Sequence, residues 1–100
     1  MNKYEVKISP RAALDIDNIY CHIADEFKNI GAAEKHASML EEAILGLDMF
    51  PYRGAERKTG AFANKGYRQL FVKNYTVVYR IDEDRKLVII VTVRYTPSSF

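Results

Sequence analysis

The side chains in this chain that could do chemistry are concentrated in residues 66–95, which read GYRQLFVKNYTVVYRIDEDRKLVIIVTVRY. The stretch holds Arg68, Arg80 and Arg94 among several tyrosines. A guanidinium stabilises negative charge, but with a pKa above about 12 it neither gives up nor accepts a proton during a reaction. The pattern therefore favours binding of an anionic partner over acid–base catalysis.

The two histidines and the cysteine do not suggest a further reactive centre. His22 and His36 lie on different predicted helices, with no cysteine or carboxylate at a metal-ligand spacing, so we expect neither a metal nor a cofactor. Cys21 has no lysine or arginine beside it, and we expect a buried or half-buried thiol that is not a nucleophile. One cysteine cannot form an internal disulfide, which fits a reducing compartment.

The charge of the chain is divided unequally between its halves. Residues 1–50 hold 5 Lys/Arg and 9 Asp/Glu, a net −4, whereas residues 51–100 hold 10 and 4, a net +6. The second half should therefore attract an anionic partner. No apolar run approaches the roughly 20 residues that span a bilayer, and the first ten residues lack a signal-peptide core, so we expect a cytoplasmic protein without membrane contact.

The first half predicts one strand and a helical hairpin. Residues 3–8 alternate apolar and polar side chains, and Ser9-Pro10 then predicts an N-cap and a first helical position. Helix 1 should run to about residue 28 with an apolar stripe, and residues 29–31 should interrupt the pattern. Helix 2 should follow and end before Pro51, and residues 51–65 should form a basic loop. The predicted stripe of helix 1 is Leu14, Ile16, Ile19, Tyr20, Ile23 and Phe27.

The second half predicts three short strands with two unlike faces. A two-residue turn at Lys73-Asn74 pairs Val72 with Tyr75 and Leu70 with Val77, and a second turn covers residues 82–86. The face predicted to cover the helices carries Leu70, Val72, Tyr75, Val77, Tyr79, Ile81, Leu87, Ile89, Val91 and Val93. The opposite face, which we call the outer face, should carry Tyr67, Gln69, Phe71, Thr76, Val78, Arg80, Val88, Ile90, Thr92 and Arg94. Its mixture of apolar, aromatic and arginine side chains is typical of an interface.

The order of these elements, the segment FPYRG at 50–54 and the run GYRQLFVKNYTVVYRID at 66–82 resemble the RelE/ParE toxin superfamily. The resemblance covers nearly the whole chain and implies a single domain over residues 1–100. It implies an α+β fold of order β-α-α-β-β-β, with the helical hairpin packed on one face of a small, mainly antiparallel sheet. It also implies the toxin half of a bacterial toxin–antitoxin module, held inactive by a cognate antitoxin with a disordered segment.

The superfamily divides by target, and the residues favour one side. RelE-like members cut mRNA on the ribosome with basic side chains, and ParE-like members are associated with inhibition of DNA gyrase. Thr76 takes the place of a family arginine, and the two strand lysines fall on Tyr67 and Gln69, or on Arg68 and Leu70 after a one-residue slip. The sheet therefore looks closer to ParE, with gyrase as the expected target.

Two alternatives stay open at this stage. A ribosome-dependent mRNA endonuclease would place Arg68, Arg94 and Tyr95 around the scissile phosphate. A decayed toxin would bind its antitoxin only.

The expected contact residues lie on the outer face and in the basic loop. An antitoxin helix or strand should lie on Val78, Val88 and Ile90, and its acidic groups should meet Arg80 and Arg94. For Arg80, pairing with one of the acidic residues at 82–84 is the competing expectation. The complete predicted binding set is Tyr67, Gln69, Thr76, Val78, Arg80, Val88, Ile90, Arg94, Arg57, Lys58 and Lys65.

Overall fold

Two helices cover one face of a five-stranded sheet in the computed structural model, which describes residues 3–58, 63 and 65–95. The helices are α1 (Pro10–Phe27) and α2 (Ile30–Leu45), followed by a 3-10 turn at Gly46–Asp48. The strands are β1 (Glu5–Ile8), β2 (Ala55–Glu56), β3 (Arg68–Val72), β4 (Tyr75–Asp82) and β5 (Leu87–Tyr95). Their order is β1-β5-β4-β3-β2, with β1 parallel to β5 and the other pairs antiparallel. The α+β fold is confirmed, and β2 is an addition inside the segment predicted as loop.

Both helices begin at side-chain caps. Ser9 Oγ accepts a hydrogen bond from the Ala12 N–H at 3.1 Å, as predicted, and Pro10 follows as the first helical residue. Asn29 caps α2 in the same way, since its Oδ1 accepts from the Ala32 N–H at 3.0 Å. Residues 30 and 31 are therefore helical, and the predicted interruption at 29–31 shortens to two residues between the helices.

The core lies between the helices and the sheet. It contains Leu40, Ile44, Val77 and Tyr79 without solvent exposure. The buried side of α1 carries Ala12, Ile16, Ile19 and Ile23. Leu14 was predicted on this stripe but is 54% exposed, because a residue two positions after Ala12 lies about 200° around the helix axis.

The β3–β4 hairpin has the predicted register, with Val72 opposite Tyr75 and Leu70 opposite Val77. Strands β4 and β5 differ from expectation because the register shifts between Val78, opposite Thr92, and Tyr79, opposite Ile90. Val91 is the extra residue in β5. The side chains of β5 that precede it in the sequence therefore face the opposite side of the sheet from the one predicted.

The predicted outer-face positions of Val88 and Ile90 are therefore wrong. Both side chains are fully buried in the core, where Leu87 and Ile89 had been expected. Those two residues are only half-buried.

The centre of the outer face is also covered. Thr76, Val78 and Thr92 are at most 1% exposed, so the predicted contact role of Thr76 and Val78 is not supported by accessible surface. Asp15 of α1 accepts hydrogen bonds from the hydroxyl of Thr92 and, at 3.1 Å, from the Val93 N–H. Strand β1 has already ended at Ile8, so a helix side chain takes over as the hydrogen-bond acceptor at this edge of β5.

Candidate functional site

The segment 50–54 is held on the end of the sheet by Tyr79. The Tyr79 hydroxyl donates to Pro51 O at 2.7 Å and accepts from the Gly54 N–H at 3.1 Å. A Cβ on Gly54 would overlap Gln69 O and would lie 2.5 Å from the Tyr79 hydroxyl, so only glycine fits there. The sheet thus fixes the backbone of this segment.

Arg68 also holds the segment 50–54 on the sheet. Its Nη2 donates to Gly54 O and, at 3.3 Å, to Tyr52 O, and its guanidinium carbon lies 5.1 Å from the centroid of the Tyr52 ring. Arg68 stands opposite Tyr79 and so on the core side of the sheet, as the predicted register required. These contacts make it a structural residue of the segment.

The three candidate catalytic side chains do not come together. Arg94 stands opposite Thr76 on the outer face, whereas Tyr95 stands opposite Tyr75, which packs in the core. Neighbouring residues of a strand point to opposite faces, so Arg94 and Tyr95 cannot share one face. Arg68 is on the core side but several residues away along β4, at Tyr79. No common phosphate position is formed by these three groups.

A groove beside α1 is the most distinctive feature of the outer face. It has a volume of about 520 Å³, and Arg11 and Arg94 contribute to its lining together with Ser9, Ile89, Val91 and Thr92. Arg11 lies 3.4 Å from Asp15, and Arg94 Nε lies 3.4 Å from the Thr92 hydroxyl. Apolar lining with two guanidinium groups suits a partner that carries both apolar and carboxylate side chains. We call this feature the α1–β5 groove.

Arg80 and Phe71 add accessible surface to the outer face. Phe71 is 65% exposed, and Arg80 is exposed without a side-chain hydrogen bond or ion pair to the described residues. Among the described residues, which include 82–84, the expected pairing of Arg80 with an acidic residue does not form. Asp82 is 4.0 Å from Arg85, and Glu83 is 2.8 Å from Lys86.

Glu83 accepts hydrogen bonds from two distant parts of the sequence and from a lysine in its own turn. Its carboxylate accepts from the Tyr4 hydroxyl at 2.7 Å, from the Tyr52 hydroxyl and from Lys86 Nζ at 2.8 Å. These donors, led by Lys86, lower the pKa of Glu83 to about 2. The same contacts with Glu83 raise the pKa of Tyr4 and of Tyr52. Sequence reasoning missed this cluster, because Tyr4 and Tyr52 are far from Glu83 in the sequence.

The basic loop offers fewer cations than predicted. Arg57 is only 5% exposed, its Nη1 donates to Gln69 Oε1 at 2.7 Å, and burial lowers its pKa. Its predicted role as a surface contact is therefore wrong. Lys58 and Lys65 are exposed, whereas Tyr67 is half-buried and its carbonyl accepts from the Arg57 N–H at 2.9 Å. Residues 59–62 and 64 of this predicted loop lie outside the described residues.

Cys21 and the histidines also have defined positions. Cys21 is exposed, which corrects the expected buried or half-buried thiol. His22 and His36 line one cleft, and His36 Nδ1 lies 3.2 Å from the Tyr75 hydroxyl. Among residues 3–58, 63 and 65–95, no group of three potential metal ligands is assembled. Within the same residues, neither helix has the length and apolar character needed to cross a membrane.

Comparisons with known proteins give one family by sequence and several solved structures with a similar fold. A family model described as the ParE toxin of the type II toxin-antitoxin system parDE matches residues 6–97. A chain of a chromosomal ParDE system from P. aeruginosa has 21% identity and a TM-score of 0.78, with 96% of this chain and 99% of that chain covered. A chain of the RelBE2 toxin-antitoxin complex from Mycobacterium tuberculosis has 19% identity and a TM-score of 0.69, with coverage of 93% and 98%.

The isolated RelE toxin of E. coli is also similar, at 14% identity and a TM-score of 0.61, with coverage of 96% and 87%. Among curated proteins, none matches the sequence. At these identities the structural likenesses show a shared fold.

Proposed function

This chain belongs to the ParE family of toxins from type II toxin–antitoxin systems, and on that premise we propose that it inhibits growth by binding DNA gyrase in the cytoplasm. A cognate antitoxin neutralises it by covering the same outer face. The gyrase target follows the ParE-like resemblance of the sheet. Binding, and not cleavage of RNA, is the mode of action.

The separation of the three candidate catalytic groups is the observation that carries this proposal. Cleavage of an RNA strand needs groups that activate the 2′-hydroxyl, stabilise the phosphate and protonate the leaving oxygen at one place. Arg94 and Tyr95 stand on opposite faces, and Arg68 holds the carbonyls of residues 52 and 54. Loss of one correctly positioned general acid or base costs roughly 10² to 10⁴ in rate. Here all three candidate groups are apart from one another.

The antitoxin contact moves from the predicted apolar strip to the α1–β5 groove. Val78, Val88 and Ile90 have no accessible surface, so they cannot receive a partner. The groove presents Ile89 and Val91 as apolar lining together with two arginines. An acidic amphipathic segment of the antitoxin fits this chemistry, with carboxylates towards Arg11 and Arg94 and apolar side chains between them.

The gyrase contact uses the exposed remainder of the outer face. Phe71 supplies an aromatic anchor and Arg80 a cation, and Lys58 and Lys65 extend the positive surface at the β2–β3 side. An antitoxin held in the α1–β5 groove would reach Arg80 and Phe71 and block their access. Exclusion of one partner by the other then explains neutralisation without a conformational change in the toxin.

A paired assay tests the proposed target. Brief expression of the toxin in bacteria is followed by primer extension on translated mRNA, and the purified protein is added to a gyrase supercoiling reaction. We expect blocked supercoiling and intact message. Codon-phased cuts with normal supercoiling would favour the endonuclease alternative, and normal growth with neither effect would favour the decayed toxin.

A further inference from the structure

A second cleft lies outside every surface used so far. It has a volume of about 490 Å³ and is lined by parts of α1, α2, the β3–β4 turn and the end of β5. Ile19 and Ile23 supply its apolar lining. Tyr75 and Tyr95 supply two aromatic rings, whose centroids are 5.6 Å apart at 61°. The volume falls within the roughly 300–1,000 Å³ of small-ligand sites.

The polar groups of this cleft are cationic or neutral. Lys73, His22, Asn18 and Asn74 line it, and none of these side chains forms a hydrogen bond or ion pair with another described residue. No described lining residue carries a carboxylate. A ligand that brings its own negative charge would therefore meet an unneutralised ammonium group and several unused hydrogen-bonding groups.

His36 and Tyr75 are set in a defined arrangement inside the cleft. The Tyr75 side chain is 4% exposed, and its hydroxyl is 3.2 Å from His36 Nδ1. Burial raises the pKa of Tyr75, and the neighbouring Tyr95 raises it further, so the phenol keeps its proton. The two rings meet edge to face at 6.0 Å, which fixes this wall before any ligand arrives.

Lys73 adopts a backbone conformation that glycine would adopt more easily. Its φ is 52°, in the left-handed region, at the first position of a two-residue hairpin loop. Glycine would fit this backbone conformation at least as well, so a change of Lys73 to glycine removes the ammonium group without adding backbone strain. Here that side chain is part of the cleft lining.

We propose that this cleft binds a small aromatic carboxylate. The ring lies against Tyr95 and the isoleucines of α1, and the carboxylate is directed to Lys73 and Asn74. An acidic peptide with an aromatic residue offers the same chemistry. The cleft is bounded by four elements and sized for a single compact ligand, so the free acid is the occupant we assign.

Titration of the ¹⁵N-labelled full chain with three matched probes tests the ligand class. Phenylacetate should shift amide signals around residues 18–23, 36 and 73–75, with a dissociation constant on the order of 1 mM for a ligand of this size. The neutral 2-phenylethanol and the cationic phenethylammonium should bind at least about five-fold more weakly. Equal binding of the alcohol, or shifts centred elsewhere, would overturn the proposal.

Two glycine substitutions distinguish the loss of the Lys73 side chain from the relief of backbone strain. Lys73→Gly and Lys28→Gly each relieve a positive φ, of 52° and 49° respectively, and Lys28 does not line the cleft. Both variants should fold with unchanged or higher thermal midpoints. Lys73→Gly should weaken phenylacetate at least about five-fold and Lys28→Gly should leave it unchanged. Equal affinity in the two variants would rule out the assigned role of Lys73.

A blocked acidic peptide, Ac-Glu-Phe-Glu-NH₂, tells the two possible sources of the ligand apart. Binding weaker than that of phenylacetate supports the free acid. Binding more than ten-fold tighter would assign the cleft to a peptide segment and overturn the small-molecule assignment.

Discussion

The Tyr79 hydroxyl accepts a hydrogen bond from the Gly54 N–H at 3.1 Å, and through this contact the core of the sheet fixes the segment after α2. Tyr79 is fully buried, and its hydroxyl also donates to Pro51 O at 2.7 Å. Loss of this hydroxyl would remove two hydrogen bonds and would also leave a buried carbonyl and a buried N–H unpaired, which adds to the loss of stability.

Removal of that hydroxyl should therefore destabilise the protein without changing the core shape. For Tyr79→Phe we expect a loss of about 1–3 kcal/mol in the free energy of unfolding, measured by urea denaturation. The half-buried Tyr20, whose hydroxyl forms no hydrogen bond with the described residues, offers a comparison if it too is changed to phenylalanine, which should cost less than about 0.5 kcal/mol. Similar losses in both variants would contradict the role of the Tyr79 contact.

Gly54 should tolerate no side chain. A Cβ there would overlap Gln69 O and lie 2.5 Å from the Tyr79 hydroxyl, so Gly54→Ala should cost about 3 kcal/mol or prevent folding. Gly46→Ala is the matched control, because Gly46 has a helical φ of −63° and a Cβ there would come no closer than 3.4 Å to the end of the Arg53 side chain. The control should stay within about 1 kcal/mol of the parent protein. Circular dichroism with urea denaturation measures both.

Glu83 should make the stability depend on pH in the acid range. Its hydrogen bonds lower the pKa from 4.5 to about 2 in the folded protein, so its contribution is present above pH 4.5. That contribution is lost as the pH falls from 4.5 through 2, because the unfolded chain takes up the proton first. Glu83→Gln should therefore lose less stability than the parent protein between pH 5 and pH 2.5.

Urea midpoints at several pH values in this range check the Glu83 prediction. Asp84→Asn removes a neighbouring carboxylate that forms no side-chain hydrogen bond or ion pair with the described residues. Its midpoints should follow those of the parent protein. A parallel decline in all three proteins would show that other groups control acid unfolding.

Strand register could be predicted where apolar and polar residues alternate, and could not be predicted where they do not. Strands β3 and β4 alternate around the Lys73-Asn74 turn, and their register was predicted correctly. Residues 87–91 read LVIIV, which is apolar at odd and even positions alike, so the pattern does not say which side faces the core. The register shift that decides this is a pairing property of two strands and has no signal in one.

The candidate site was predictable to the same extent. Arg94 and Arg80 were placed on the outer face correctly, because their positions follow from alternation near well-defined pairs. The α1–β5 groove was missed although the end of β1 and the start of α1 were predicted, because it also depends on the pairing of β1 with β5, which lie at opposite ends of the sequence. The burial of Arg57 was missed because its hydrogen-bond partner Gln69 is twelve residues away, on β3.

The register shift itself can be tested by two neighbouring substitutions in β5. Ile90 is fully buried in the core and Ile89 is half-buried beside the α1–β5 groove. Ile90→Ala should cost about 2–5 kcal/mol and Ile89→Ala about 1 kcal/mol or less, as judged by urea denaturation. A larger loss of stability for Ile89→Ala than for Ile90→Ala would contradict the register shift and support the uninterrupted alternation predicted from the sequence.

Charge reversal tests the partner surface, because electrostatic contacts should be lost without loss of folding. Arg94 lines the α1–β5 groove and Arg80 is exposed on the same face, whereas Arg85 is exposed in the β4–β5 turn and weakly paired with Asp82 at 4.0 Å. Arg94→Glu and Arg80→Glu should each weaken antitoxin binding by about ten-fold or more, mainly at low salt, since each replaces an attraction with a repulsion. Arg85→Glu changes the net charge equally and should leave the affinity within about three-fold, because its charge lies outside the proposed contact. Isothermal titration calorimetry at two salt concentrations measures all three, and equal losses would mean that net charge, and not the outer face, governs antitoxin binding.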